Sequence, residues 1–202
     1  MRTSNVLVLA MAGLIGFTTG CRTNTVDKGA FKSALNDYYK GRQVCLWPSP
    51  VKFPAQADTS NDEQTKSYDA LTDAGLLTRM ATEKKRILIG SKSVNNYDLS
   101  EKGRAAWTAD ATQPGYGNFC FGQREVTSID SYSPENTDAA QYSVTFHSRV
   151  KGLPDWANTA ETRTAFPTID AVAASEQLAT AILVKSSNGW QVSNVQSTAM
   201  GQ

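Results

Sequence analysis

Three cysteines and one histidine are the residues of this 202-residue chain whose chemistry depends most on their surroundings. A cysteine can attack a carbonyl, accept an acyl chain, ligate zinc or pair into a disulfide, and its neighbours decide which. Cys45 sits in Val44-Cys45-Leu46-Trp47 and Cys120 in Phe119-Cys120-Phe121, apolar and aromatic runs that read as strands. In an oxidising compartment these two are expected to pair. The bridge would close a loop of about 75 residues, which the chain-entropy account values at roughly 4–5 kcal/mol. The alternative is two separate buried thiols. Neither cysteine belongs to a CxxC redox motif, and three Cys with one His argue against a structural zinc site.

The search for catalytic groups returns little. His147 is the only histidine, so any Ser–His or Cys–His pair must use it, and it falls on the polar side of an alternating strand pattern. Ser49-Pro50-Val51-Lys52 has the SxxK spacing of penicillin-binding proteins and β-lactamases. Pro50 and Pro54 oppose the helix that such a serine opens, and the KTG partner motif is missing. No GxSxG elbow, Walker loop, HExxH or dinucleotide fingerprint occurs, and no spacing singles out a carboxylate pair for glycoside chemistry. No catalytic, metal or cofactor residue is assigned.

The third cysteine has a different setting. Arg2 supplies a positive start, Val6 to Phe17 form an uncharged apolar run, and Thr18-Thr19-Gly20-Cys21 close it. The run is shorter than the ~20 residues of a membrane-spanning helix. This segment resembles the lipobox signal of bacterial lipoproteins, in which small residues precede a Cys that becomes the acylated first residue. Thr18 stands where that family most often has Leu. The resemblance implies acyl chains on Cys21 that hold the protein to a lipid bilayer, firmly where two or three chains are attached. Arg22, in place of the Asp that favours inner-membrane retention, implies the outer membrane where the host has one. An ordinary secretory signal with an incidental Cys21 is the alternative.

Of 202 residues, removing residues 1–20 leaves 182, enough for one larger domain or two small ones sharing a core. Only Arg2 among the 20 Lys and Arg falls in the removed part, so basic and acidic side chains balance at 19 each. A neutral chain has no long-range field to draw it to nucleic acid or anionic lipid.

The elements that must position these groups can be placed in outline. Asp27 can cap a helix carrying Phe31, Ala34, Leu35 and Tyr38, ended by Gly41, with a short strand from Gln43 to Trp47 after it. Pro48, Pro50 and Pro54 argue against regular structure until about residue 59. Ser60 and Glu63 form a capping-box pattern that opens a second helix through Tyr68, Leu71 and Ala74 to Gly75.

Tyr68 to Thr78 resembles the end of the recognition helix in winged helix-turn-helix domains. Arg86-Ile87-Leu88-Ile89, the polar turn Gly90 to Asn96, and Tyr97 to Arg104 resemble the wing strands and the helix beyond. The likeness spans roughly residues 27–107, with the proline-rich stretch in place of the usual second helix. The equivalent of the recognition helix carries Asp62, Glu63, Asp69 and Asp73 against Lys66, a face that phosphates would repel. Nucleic acid is therefore not an expected partner, and the wing reads as reused scaffold.

After the Gly-rich linker around Tyr116 the pattern alternates: Tyr142, Val144, Phe146 and Val150 face one way, Ser143, Thr145, His147 and Arg149 the other. Asn188-Gly189 joins 179–185 to 190–195 as a hairpin. A helical interruption lies near 152–176, with a short helix at 159–165 stopped by Pro167. The expected fold is α+β: a signal at 1–20, a winged-helix-like half at 21–112, and a half at 113–202 with an antiparallel sheet of about four strands. Trp156, in Leu153-Pro154-Asp155-Trp156, and Tyr116 are candidate contact residues; Trp156 could equally fold down over the sheet. The expectation is a non-catalytic, membrane-anchored envelope lipoprotein that binds a protein or envelope component. A hydrolase with an unrecognised site, or an inhibitor or immunity-type protein, stands as the alternative.

Overall fold

The computed structural model describes residues 26–86 and 90–197, apart from the side chains of 82–92 and 197. The signal segment and Cys21 lie outside the described residues, as does the 87–89 part of the wing. In chain order the elements are α1 (Lys28–Lys40), β1 (Gln43–Cys45), β2 (Val51–Lys52), β3 (Ala55–Asp58), α2 (Asp62–Asp73), β4 (Leu77–Arg86), β5 (Gly90–Leu99) and α3 (Glu101–Ala106). There follow β6 (Trp107–Ala109), β7 (Tyr116–Ser133), β8 (Gln141–Lys151), a 3₁₀ turn (Asp155–Asn158), α4 (Ala160–Ala165), α5 (Thr168–Ala173), β9 (Gln177–Ser186) and β10 (Gly189–Ser197).

The chain is α+β, and its main sheet has seven antiparallel strands rather than about four. Four come from beyond residue 112 in the order β7-β8-β9-β10; β1, β2 and β6 join along β7. The reason is length. β7 has 18 residues, about 60 Å of strand, and only its part from Gln123 onward pairs with β8. The opening stretch, Tyr116 to Gly122, is left to recruit three short segments from the N-terminal half.

α1 forms where its pattern predicts, with the Asp27 carboxylate accepting from Gly29 N (2.8 Å). Phe31, Leu35 and Tyr39 are buried against Val126, Tyr142, Val144, Phe146 and Leu183 of the main sheet. A second stripe on the same helix is polar. β7 carries two bulges, at 126–128 and 129–131, where Thr127 and Asp130 are skipped in the register with β8. Lys28 Nζ donates to the carbonyls of Ile129 (3.3 Å) and Asp130 (3.1 Å), Lys32 Nζ to that of Thr127 (2.9 Å), and Asn36 Oδ1 accepts from Val126 N (2.9 Å). Residues four apart share a helix face, so one row of α1 serves both bulges.

The smaller sheet has the order β3-β5-β4 and packs against α2. Asp69 ties helix to sheet, accepting from Arg79 (2.7 Å) and from the Tyr97 hydroxyl (2.8 Å). The stretch expected to be irregular holds β2 and β3. Pro50 and Pro54 each stand immediately before a strand, where no ladder N–H is lost. The cap of α2 is Asn61, accepting from Gln64 N (3.2 Å), rather than Ser60, because Asp58 draws Ser60 N (3.0 Å) into the preceding turn. Gly75, at φ +78, ends α2 as expected, with Leu76 N returning to Leu71 O (2.8 Å). Pro167 ends α4 and also opens α5, which the sequence reading does not contain.

Candidate functional site

The bridge expected from the sequence is present: Cys45 and Cys120 are opposite one another on β1 and β7 and joined by a disulfide. Both are half-buried. A cleft of about 550 Å³ opens beside them, between the end of α1, the turn after β1, β6 and the start of β7. On the other side of the bridge a second depression, of about 470 Å³, is lined by Gln43, Gly122 and Trp156 among others.

The first cleft is shaped by backbone clamps. Leu46 N donates to Phe119 O (3.0 Å), and Asn118 holds the next residue from both sides. Its Nδ2 donates to Trp47 O (2.7 Å) and its Oδ1 accepts from Trp47 N (3.2 Å). At 9% exposure Asn118 is one of few buried polar residues among the described residues, and its amide satisfies both backbone groups of the half-buried Trp47. The Trp47 ring then lies against Phe53, Tyr68, Phe119 and Phe166. Gly117 is required by close approach: a Cβ there would stand 2.4 Å from Trp107 Nε1 and 2.5 Å from Thr108 O.

Two guanidinium groups reach the cleft. Arg42 lies over the Tyr38 ring at 3.8 Å and donates to Tyr38 O (2.8 Å). Arg124 donates to Gln177 Oε1 (2.8 Å) and lies 5.8 Å from the centre of the Tyr39 ring. Burial raises the Tyr39 phenol above its ordinary value, with Arg124 pulling the other way, so at neutral pH Tyr39 presents a neutral hydroxyl. Asp110 lines the cleft elsewhere. Its carboxylate accepts from Thr112 Oγ1 (2.6 Å), Thr112 N (2.8 Å) and Gln113 N (2.8 Å), and these bonds hold its pKa below the usual value, the Thr112 hydroxyl contributing most.

The two candidate contact residues part company. Trp156 is 6% exposed, packed 6.0 Å from the Phe119 ring, and is a core residue rather than a surface anchor. The 3₁₀ turn after Pro154 folds it down over the sheet. Tyr116 is 37% exposed and has Lys52 Nζ 5.8 Å from its ring centre, on the strand pair beside the cleft.

His147 does not line the cleft. Its Nε2 is 2.9 Å from Asp130 Oδ2, and the same carboxylate accepts from Ser128 Oγ (3.0 Å). The acid thus stands between hydroxyl and imidazole, whereas a nucleophilic serine donates its hydrogen bond to the imidazole directly. Ser49 and Lys52 belong to a bend and a two-residue strand, with no helix start between them.

Sequence reading did not single out Arg42, Arg124, Tyr39 or Asn118. The accessible signal was Asn118: an amide inside an otherwise apolar strand, next to the cysteine, invites the question of which backbone it satisfies. The arrangement can hold a polar chain segment, with cations at one rim, an acid elsewhere and an apolar floor of Trp47, Pro48 and Pro50. Compared with known proteins, the chain matches no family model, no curated protein and no solved structure.

Proposed function

We propose that the chain is a lipoprotein of the bacterial cell envelope, anchored through acylated Cys21, that works by binding rather than by catalysis. The observation that carries this reading is the allocation of cysteines. Cys45 and Cys120 are bonded to each other, which leaves Cys21, directly after Thr18-Thr19-Gly20, for the acyl chains. The bridge itself belongs to chemistry outside the reducing cytoplasm. The partner is a protein or envelope component with an extended, carboxylate-bearing segment, received at the cleft between Arg42 and Arg124. Helix α1, 13 residues or about 20 Å long, separates that cleft from the end of the helix nearest Cys21. The cleft then opens toward the membrane-distal part of the molecule, in the outer membrane where the host has one.

We read α2 with the β3-β5-β4 sheet as a winged-helix-like scaffold. Its support is the strand order, with α2 between β3 and β4 and α3 after β5. It departs from that family where α1 packs on the main sheet instead of on α2. With Asp62, Glu63 and Asp69 on α2, nucleic acid is not its ligand.

Two measurements test the proposal. Radiolabelled palmitate should enter the wild-type protein and not a Cys21→Ser form, and the label should travel with the outer-membrane fraction. Cross-linking in intact cells should then capture a stoichiometric partner from wild type, lost in Arg42→Glu. An unlabelled wild-type protein refutes the anchor; a prey list unchanged by Arg42→Glu refutes the cleft. The hydrolase reading rests on the Asp130–His147 contact, and a His147→Ala form that loses function while keeping its partner would support it over ours.

A further inference from the structure

The cleft beside the bridge has a neighbour that its carboxylate-binding role leaves unused. Trp47 lines the cleft, and it also lines a separate hollow of about 320 Å³ against the first two turns of α2. Its ring already packs on Phe53, Tyr68, Phe119 and Phe166, yet the residue stays half-buried, and both hollows open onto what is left. A ligand that occupies both has to cross Trp47.

The two hollows differ in sign. Arg42 and Arg124 line the cleft, and its one acid among the described residues, Asp110, accepts hydrogen bonds from its own turn. In the hollow by α2 the balance is reversed, because Glu63 is the only charged residue among the described residues lining it. Glu63 is exposed, and its carboxylate has no ion-pair partner among the described residues. A helix start by itself opposes a cation with about half a unit of positive charge. Asp62 and Glu63 in that first turn outweigh it, and Asn61 already answers the N–H of Gln64. Trp47 and Tyr68 bring rings beside the acid, and of the aromatic side chains tryptophan attracts an ammonium group most. Gln64, half-buried in the same lining, offers a donor and an acceptor to a peptide backbone, the pairing by which Asn118 holds Trp47.

We infer that the hollow by α2 is a second subsite, one that takes an ammonium group. The occupant is then an extended peptide with a carboxylate at the Arg42–Arg124 end and a lysine-like side chain at the Trp47–Glu63 end. This rests on the cleft reading for the carboxylate and adds the cation. A purely acidic segment would be drawn to the cleft and turned away at Glu63. A neutral sugar would gain from the rings and nothing from either charge.

The test uses the full chain and peptides with acetylated and amidated ends, so that only side chains carry charge. Each peptide has one Glu and one Lys joined by a Ser/Gly spacer of varied length, with norleucine replacing Lys in the uncharged partner. Binding is read by calorimetry and by tryptophan fluorescence. At one spacing the Lys peptide should bind wild type about five- to tenfold more tightly than its norleucine partner. Glu63→Gln should remove most of that advantage and leave the norleucine peptide within about twofold, whereas Arg42→Glu should weaken both. Both positions are exposed, so the fold tolerates the changes. Equal binding of the two peptides at every spacing, or an advantage that survives Glu63→Gln, overturns the ammonium subsite. If both peptides still weaken with Arg42→Glu, the carboxylate cleft stands without it. No binding by any peptide overturns subsite and cleft together, as does quenching by a neutral chitin tetrasaccharide alone.

Discussion

The molecule has two hydrophobic centres that are built on different plans. One lies under α1, where Phe31, Leu35 and Tyr39 meet alternating residues of β7, β8 and β9. The other gathers Phe53, Tyr68, Tyr97, Phe119, Trp156 and Phe166, with Trp47 and Trp107 at its margin, from eight separate stretches of chain. The first is one helix on one sheet, and each partner advertises its face by period. The second is an aromatic assembly in which no segment contributes more than a few residues. What differs is the number of independent segments that must arrive together. The assembly centre therefore depends more heavily on clamps: the Cys45–Cys120 bridge, Asn118 on Trp47, and Asp69 beneath Tyr97.

That contrast can be broken most forcefully in its packing. Phe119→Ala, at a fully buried ring touching Trp47, Trp107 and Trp156, should cost about 3–5 kcal/mol by urea unfolding. Phe31→Ala in the helix-on-sheet centre should cost a similar amount, while shifting the fluorescence of Trp190 rather than of the other three tryptophans. Removing the bridge with Cys45→Ala/Cys120→Ala should cost about 2–4 kcal/mol. Because three of four tryptophans belong to the assembly centre, their fluorescence should then be lost ahead of far-ultraviolet dichroism. Coincident curves would show that β7 alone couples the two centres.

The clamps themselves sharpen the comparison on a smaller scale. Each centre has an asparagine holding backbone of a facing segment: Asn118 with two bonds and little exposure, Asn36 with one bond at a half-buried site. Asn118→Ala should cost about 1–3 kcal/mol and Asn36→Ala about 1 kcal/mol, read from denaturant midpoints. The reverse order would place the critical clamp under α1. The smallest effect concerns acid. The carboxyl of Asp110 is held below its usual pKa, so the stabilisation it gives its turn is present above the unfolded value and is lost as pH falls through the folded one. Asp110→Asn should flatten the acid limb of a stability–pH curve slightly and leave neutral stability nearly unchanged.

How much of this was legible follows the same division. Phe31, Leu35, Tyr142, Val144 and Phe146 announce their faces by spacing alone, and the Asn188-Gly189 hairpin by its turn residues. The sheet's size was not legible, because nothing local to Val51 or Trp107 says that the spare length of β7 will pair with them. Prolines misled for a physical reason: they forbid a helix, and a strand beginning just after one loses nothing. Trp156 stayed ambiguous in sequence because an exposed anchor and a folded-down lid have the same neighbours, and only the 3₁₀ turn decides. The cleft residues Arg42 and Arg124 lie on either side of the bridge in sequence, and only the pairing of β1 with β7 makes them neighbours.

The bridge has a mechanical meaning as well. A force drawing on the two ends of the chain meets α1 first, where Lys28, Lys32 and Asn36 grip β7 and must yield in shear. Once β1 is reached, the covalent link carries the tension directly from Cys45 to Cys120. The 74 residues between them, about 250 Å of extended chain, are excluded from the path of the load. The small sheet, α2 and most of the aromatic centre lie inside that closed loop and experience no pull. In a tethered protein, the cleft beside the bridge would keep its floor while the segments outside it unravel.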